Sequence, residues 1–217
     1  MSQSLYSAPD RNCAICPRLK SFIDTQREKY PDWHNAPVPS FGGIDASFLI
    51  VGLAPGLRGA NRTGRPFTGD WAGDLLYNTL KKFDFATGDY DKRPDDSLTL
   101  LDCRIANAVR CVPPENKPTG AEMKNCLPFL IDEIKAMPRL KAILCLGLIS
   151  HNNVLKALGF KQSEAKFIHG AKHQLTDNIA VFDSYHCSRY NTNTGRLTTE
   201  MFESVFKDIS TYVREET

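Results

Sequence analysis

Three short, almost unbroken apolar runs organise the chain: residues 47–53 (Ser-Phe-Leu-Ile-Val-Gly-Leu), 140–147 and 179–185. Each is rich in β-formers and closes on glycine, proline or a polar turn, the pattern of a strand buried on both faces. Residues 98–107 supply a fourth strand candidate. Helical spacing lies between and after them. Residues 71–83 place Trp71, Leu75, Leu76 and Leu80 on one face, and residues 119–137 open with Thr119 and, three positions on, Glu122. Residues 198–213 carry Met201, Phe202, Val205, Phe206 and Ile209 at helical intervals. Strands alternating with helices predict an α/β fold, a three-layer α/β/α sandwich with a mostly parallel central sheet. Ligands then sit at the carboxyl ends of the strands. The polar, proline-rich residues 26–43 read as a long loop, residues 1–217 as one domain without internal repeats.

Composition narrows the classes. With 41% hydrophobic and 24% charged residues the chain reads as an ordinary globular protein. Its apolar runs fall short of the ~20 residues that cross a bilayer, and the N-terminus has no basic-then-apolar secretory pattern. A cytoplasmic protein without membrane contact is expected. The formal charge of 27 − 25 = +2 is too small to announce a polyanionic partner, so a nucleic-acid reading must rest on local clusters.

Seven cysteines in a chain expected in a reducing compartment point away from a disulfide framework. Cys13 and Cys16 form a C-x-x-C pair in the N-terminal segment, and Cys111 and Cys126 a second pair with Pro113 and Pro114 between them. Two such pairs predict one four-thiolate site, suited to zinc or to an iron-sulfur cluster, and the spacing leaves that choice open. Cys145 lies in an apolar run and reads as a buried thiol. Cys187 follows His186, but neighbours on an extended segment point to opposite faces, which weakens a Cys/His nucleophile.

Three polar segments carry the candidate chemistry. Residues 52–70 leave the first strand without a helical apolar pattern and hold five glycines and three arginines, Arg58, Arg62 and Arg65. Glycines let backbone approach a ligand, and arginines suit phosphate or a carbonyl-rich base. No Walker lysine follows. Asp70 closes the segment just before a helix, where an N-cap is the plain structural alternative. Residues 184–196, with His186, Arg189 and Arg196, leave another strand at the same predicted edge. Between them Pro113, Pro114 and Pro118 stiffen a turn bearing Asn116, whose amide both donates and accepts as base reading requires.

Gly52-Leu53-Ala54-Pro55-Gly56, residues 61–70 (Asn-Arg-Thr-Gly-Arg-Pro-Phe-Thr-Gly-Asp), residues 111–119 (Cys-Val-Pro-Pro-Glu-Asn-Lys-Pro-Thr) and residues 184–198, in this order and with the four cysteines, resemble the family 5, or B-type, uracil-DNA glycosylases. The resemblance spans Cys13 to the C-terminal helix. It implies a 4Fe-4S cluster on Cys13, Cys16, Cys111 and Cys126. It further implies Asp70 as catalytic carboxylate, His186 as the histidine of the second motif, Asn116 as base reader and Phe67 as the ring stacked on the base. Two positions depart from the family's usual motifs: Gly56 stands where alanine is usual, and Cys187 where proline is.

Cleaving an N-glycosidic bond in DNA requires extruding the nucleotide, which is cheapest at mismatched or damaged bases. The reaction builds positive charge on the sugar and negative charge on the base. Asp70 is expected to stabilise the first and position water. His186 and backbone amides of residues 52–56 are expected to stabilise the second, as an oxyanion hole does. Arg58, Arg62, Arg65, Arg189 and Arg196 are candidates for phosphate contacts or for filling the vacated stack. No lysine is placed as a Schiff-base nucleophile, so a monofunctional enzyme leaving an abasic site, acting as a monomer on double-stranded DNA that contains uracil or other deaminated bases, is expected. The competing classes are a non-catalytic zinc or iron-sulfur nucleic-acid-binding module and an iron-sulfur electron carrier, neither of which needs Asp70, Asn116 and His186 to converge.

Overall fold

The computed structural model describes residues 8–215. Helix α1 (Pro17–Lys29) leads through a loop to strand β1 (Phe48–Gly52). A single turn, α2 (Ala60–Thr63), precedes α3 (Trp71–Lys82). Strands β2 (Ala86–Thr87) and β3 (Thr99–Leu100) pair as a small ribbon before β4 (Cys103–Asn107). Then follow α4 (Gly120–Ala136), β5 (Ala142–Leu146), α5 (Leu148–Ala157), β6 (Lys172–Gln174), β7 (Ala180–Ser184), α6 (Arg189–Asn193) and α7 (Thr199–Glu215).

The main sheet runs β4-β1-β5-β7-β6, parallel except for the antiparallel edge strand β6. Both faces are covered, giving the α/β/α sandwich that the apolar runs predict. Alternation decides which side chain goes where. Phe48, Ile50, Leu144 and Phe182 pack with Leu76, Leu80, Phe202 and Phe206 of α3 and α7, whereas Leu49, Val51, Ile143 and Val181 meet Leu130 and Ile134 of α4 and Val154 of α5. Removing each such side chain from water contributes roughly 1.5–3 kcal/mol, so the sheet is a rigid platform whose carboxyl edge can hold loops in place. Thr119 caps α4 through the reciprocal bond with Glu122 read from the sequence.

Several expectations need correction. The loop placed at 26–43 begins later, because α1 continues to Lys29, with Leu19, Ile23 and Gln26 buried. Residues 52–70 are not wholly irregular, since α2 interrupts them. The fourth strand candidate splits into β3 and β4, with Asp102, at φ 47°, bending the chain between them. Trp71 leaves the apolar face assigned to it and stands 50% exposed, while Ala72 and Tyr77 join Leu76 and Leu80 in the core.

Candidate active site

The carboxyl ends of β1, β4 and β7 open into a cleft of about 660 Å³. Leu53, Ala54, Pro55, Gly56, Arg58, Phe67, Asp70, Asn116, His186 and Arg189 all line it. The sequence therefore located most of one site from stretches far apart in the chain. Gly52 stands behind it, where a Cβ would lie 2.8 Å from the Phe67 ring.

Asp70 does two things at once. It caps α3, with Oδ1 accepting from the Gly73 amide at 3.3 Å. Oδ2 faces the glycine loop: a Cβ at Gly59 would collide with it, and one at Gly56 would sit 3.3 Å away. Burial pushes the Asp70 carboxyl above its ordinary value, against the pull of the Gly73 and Ala72 amides. Capping thus uses Oδ1 and leaves Oδ2 turned toward the glycine loop.

His186 lies just past β7. Its backbone carbonyl accepts from Asn191 Nδ2 at 2.8 Å, and its ring lies 5.9 Å from that of Phe67. Burial pushes its pKa down to about 4, so the imidazole is neutral near pH 7. Cys187 supplies no nucleophile, since its fully buried thiol points to the Ala72 carbonyl at 3.6 Å and is pushed far up by burial. With Ser188 capping α6, that contact and the Asn191 bond hold the His186 loop without the usual proline.

Two asparagines reach the cleft differently. Asn116, at φ 57° on the tight turn Pro114–Asn116, is exposed at the rim. Asn107 ends β4, is 3% exposed and lines the same cleft, with no hydrogen-bond partner for its side-chain amide among the described residues. Sequence reading missed Asn107. The available signal was an amide closing a strand candidate at the edge where ligands bind.

The arginines divide. Arg58 and Arg189 line the cleft, Arg189 lying 5.5 Å over Trp71. Arg62 lines a neighbouring groove, and Arg196 lies 4.6 Å over Tyr185. Arg65 must be withdrawn from the expected phosphate contacts. It is 6% exposed and makes two bonds of 2.7 and 2.8 Å to Asp96. There it braces the loop from within, together with Tyr90, whose hydroxyl donates to the Phe67 carbonyl at 3.1 Å and accepts from the Gly69 amide at 3.3 Å.

Cys13, Cys16, Cys111 and Cys126 line one small, mostly apolar pocket with Leu19, Val109 and Phe129. The Arg110 amide donates to Cys126 Sγ at 3.3 Å, and Asn125 Nδ2 to Cys16 Sγ at 3.6 Å. Burial, then the charges of Cys126, Cys13 and Cys16, push Cys111 up to about 12. Burial likewise raises Cys16 and Cys126, and thiols gathered where ionising them is costly fit a site in which a cationic centre stabilises the thiolates.

A second buried group, Cys145, His151 and Asp183, also brings three possible ligand atoms within 4.8 Å of one another. Hydrogen bonds explain it without a metal. His151 Nδ1 meets Asp183 Oδ1 at 2.7 Å and Nε2 meets the Ala165 carbonyl at 3.0 Å. Acceptors at both nitrogens require the doubly protonated ring.

Comparison with known proteins agrees with this geometry. The profile described as uracil DNA glycosylase superfamily matches residues 39–210. A type-5 uracil-DNA glycosylase of Thermus thermophilus is 39% identical, the match covering 90% of this chain and 91% of that one. One of Pyrobaculum aerophilum is also 39% identical, over 90% and 87%, and one of Mycobacterium leprae 37%, over 90% and 89%.

Proposed function

The chain belongs to the uracil DNA glycosylase superfamily, and from that premise we propose that it is a monofunctional uracil-DNA glycosylase that initiates base excision repair. It extrudes uracil from DNA and hydrolyses the glycosidic bond, leaving an abasic site. The observation that carries this reading is that the Asp70 carboxylate, the Asn107 amide and the neutral His186 ring all line one cleft at the sheet's carboxyl edge.

In this mechanism Phe67 provides the face on which the uracil ring lies, and Asn107 reads its polar edge. A buried amide that gains its partners only from the right base discriminates strongly, because a wrong base leaves it unpaired. Asn116, exposed at the rim of the same cleft, is the second amide placed to meet the base. As the bond breaks, charge builds on uracil oxygen, and neutral His186 donates a hydrogen bond to it. Asp70 Oδ2 faces the sugar, stabilises the developing cation and orients water. Arg58 and Arg189 at the mouth contact phosphates, and Arg62 and Arg196 extend that surface. One chain supplies every group of the site and acts as a monomer. No helix among the described residues is long and apolar enough to cross a membrane.

We assign a 4Fe-4S cluster to Cys13, Cys16, Cys111 and Cys126. A single zinc ion would bring its four sulfurs within about 3.8 Å of one another, yet among the described residues no three of these sulfurs fall within 4.8 Å. A larger polynuclear group suits that spread. When bound, the cluster supplies a cross-link rather than a redox step. The chain's own residues gain from it a fixed path from α1 to the Pro114–Asn116 turn.

The direct test is incubation with a U:G duplex followed by hot alkali. Cleavage at uracil is expected. An intact strand would instead favour the non-catalytic module, and an adduct trapped by borohydride would contradict the monofunctional mechanism.

A further inference from the structure

Beside the cleft lies an open groove of about 520 Å³ lined by Asp32, Trp33, His34, Arg62, Lys92 and Arg93 among others. Arg62 lines the groove and reaches toward the loop that ends at Asp70. Its Nη2 stands 2.7 Å from where a Cβ of Gly69 would be, next in sequence to Asp70, and it follows cleft-lining Arg58 by four residues. The other two cations are engaged, Lys92 with Asp74 at 2.8 Å and Arg93 with Asp95 at 3.5 Å. Arg62 has no acidic partner among the described residues. One face of the half-buried Trp33 indole is stacked on Tyr30 at 4.0 Å and 8°, which fixes the ring. A fixed aromatic ring beside an uncommitted guanidinium is what a single nucleic-acid strand needs, a stacking surface for the base and a charge for the phosphate.

We propose that this groove is a subsite for the stretch of the same DNA strand flanking the extruded nucleotide, with an unstacked base on Trp33 and its phosphate on Arg62. The proposal rests on the uracil-excision reading and adds to it a second point of attachment. The strand passes from Arg58 to Arg62 along α2, and Asp32 keeps the phosphate on the Arg62 side.

The test uses single-stranded oligonucleotides with one uracil, lengthened by one to four nucleotides on either side, with affinity measured by anisotropy and excision by single turnover. For the wild type, lengthening on one side should tighten binding by at least about fivefold, the weakest gain of a base stacked on an aromatic ring. Trp33→Ala should abolish that gain, and Trp33→Phe should keep part of it, which guards against misfolding of the alanine protein. Arg62→Ala should lower the salt dependence of binding to the longer oligonucleotides by about one counterion. An equal gain in wild type and Trp33→Ala, or no gain on either side, overturns the subsite while leaving uracil excision standing. Failure of the wild type to release uracil both from these oligonucleotides and from the U:G duplex sinks the underlying reading instead.

Discussion

The molecule contains two histidine-aspartate sets near the end of β7, and they are built in opposite ways. Asp183, within the strand, accepts from His151 at 2.7 Å and from His173 at 3.0 Å, so that both its oxygens and both ring nitrogens of His151 are engaged. Burial works against charge on His151, but the hydrogen bond and charge of Asp183 and the Ala165 carbonyl outweigh it and raise its pKa. Three residues further on, His186 has no such partner and is pushed down to about 4, while Asp70 across the cleft is pushed up. Groups that satisfy each other hold the fold together. Groups buried apart, each displaced toward its neutral form, wait for charge to appear on something else.

This contrast can be broken at either end. Asp183→Asn leaves a buried imidazolium unpaired and should cost about 3–5 kcal/mol of stability, read as a lowered midpoint in denaturant. Its single-turnover rate on uracil, measured where the variant is folded, should stay within a few-fold of wild type. His186→Ala should do the reverse, slowing excision by about 10²–10³ through loss of the group facing the leaving base, with a small change in midpoint. A variant of His186 that melts early and excises normally would place it with the structural set.

The smallest effects are those of pH, and the two sets again differ in sign. Asp70 acts as a carboxylate with a raised pKa, so excision should fall as pH drops through that raised value. His186 stays neutral until about pH 4 and adds no second limb near neutrality. His151 has a folded-state pKa above its unfolded value of about 6.5, so its stabilisation is complete below that and is lost as pH rises through the folded value. Thermal midpoints should therefore decline from pH 6 into the alkaline range in the wild type, and Asp183→Asn should lose that slope.

Both sets lie on a sheet that was largely legible in the chain, because strands buried on both faces leave continuous apolar runs. The ends of α3, α4 and α7 were equally visible from caps and spacing. The misreadings share a physical cause. Arg65 looks like a surface cation until Asp96, thirty-one residues away, pairs with it in the interior. Asn116, marked by three prolines and a turn, does line the cleft, whereas Asn107 carries only a weak local signal and was passed over. Its burial is decided by β1 and by Phe67, which fold over it. Trp71 looked like core because helical spacing marks a face but does not say where that face ends. Only the short motifs, by their resemblance to a family, tied Asp70 and His186 together before the structure brought both to one cleft.

Asp70→Asn tests the account most directly, because an asparagine keeps the N-cap bond and removes only the charge. Rate of uracil release in single turnover and thermal midpoint, measured on the same preparation at pH 7.5 or so, should separate: excision slower by about 10²–10³, the midpoint equal to or slightly above wild type. Unchanged excision, with or without a lowered midpoint, would return Asp70 to being a helix cap and contradict the assignment of the cleft.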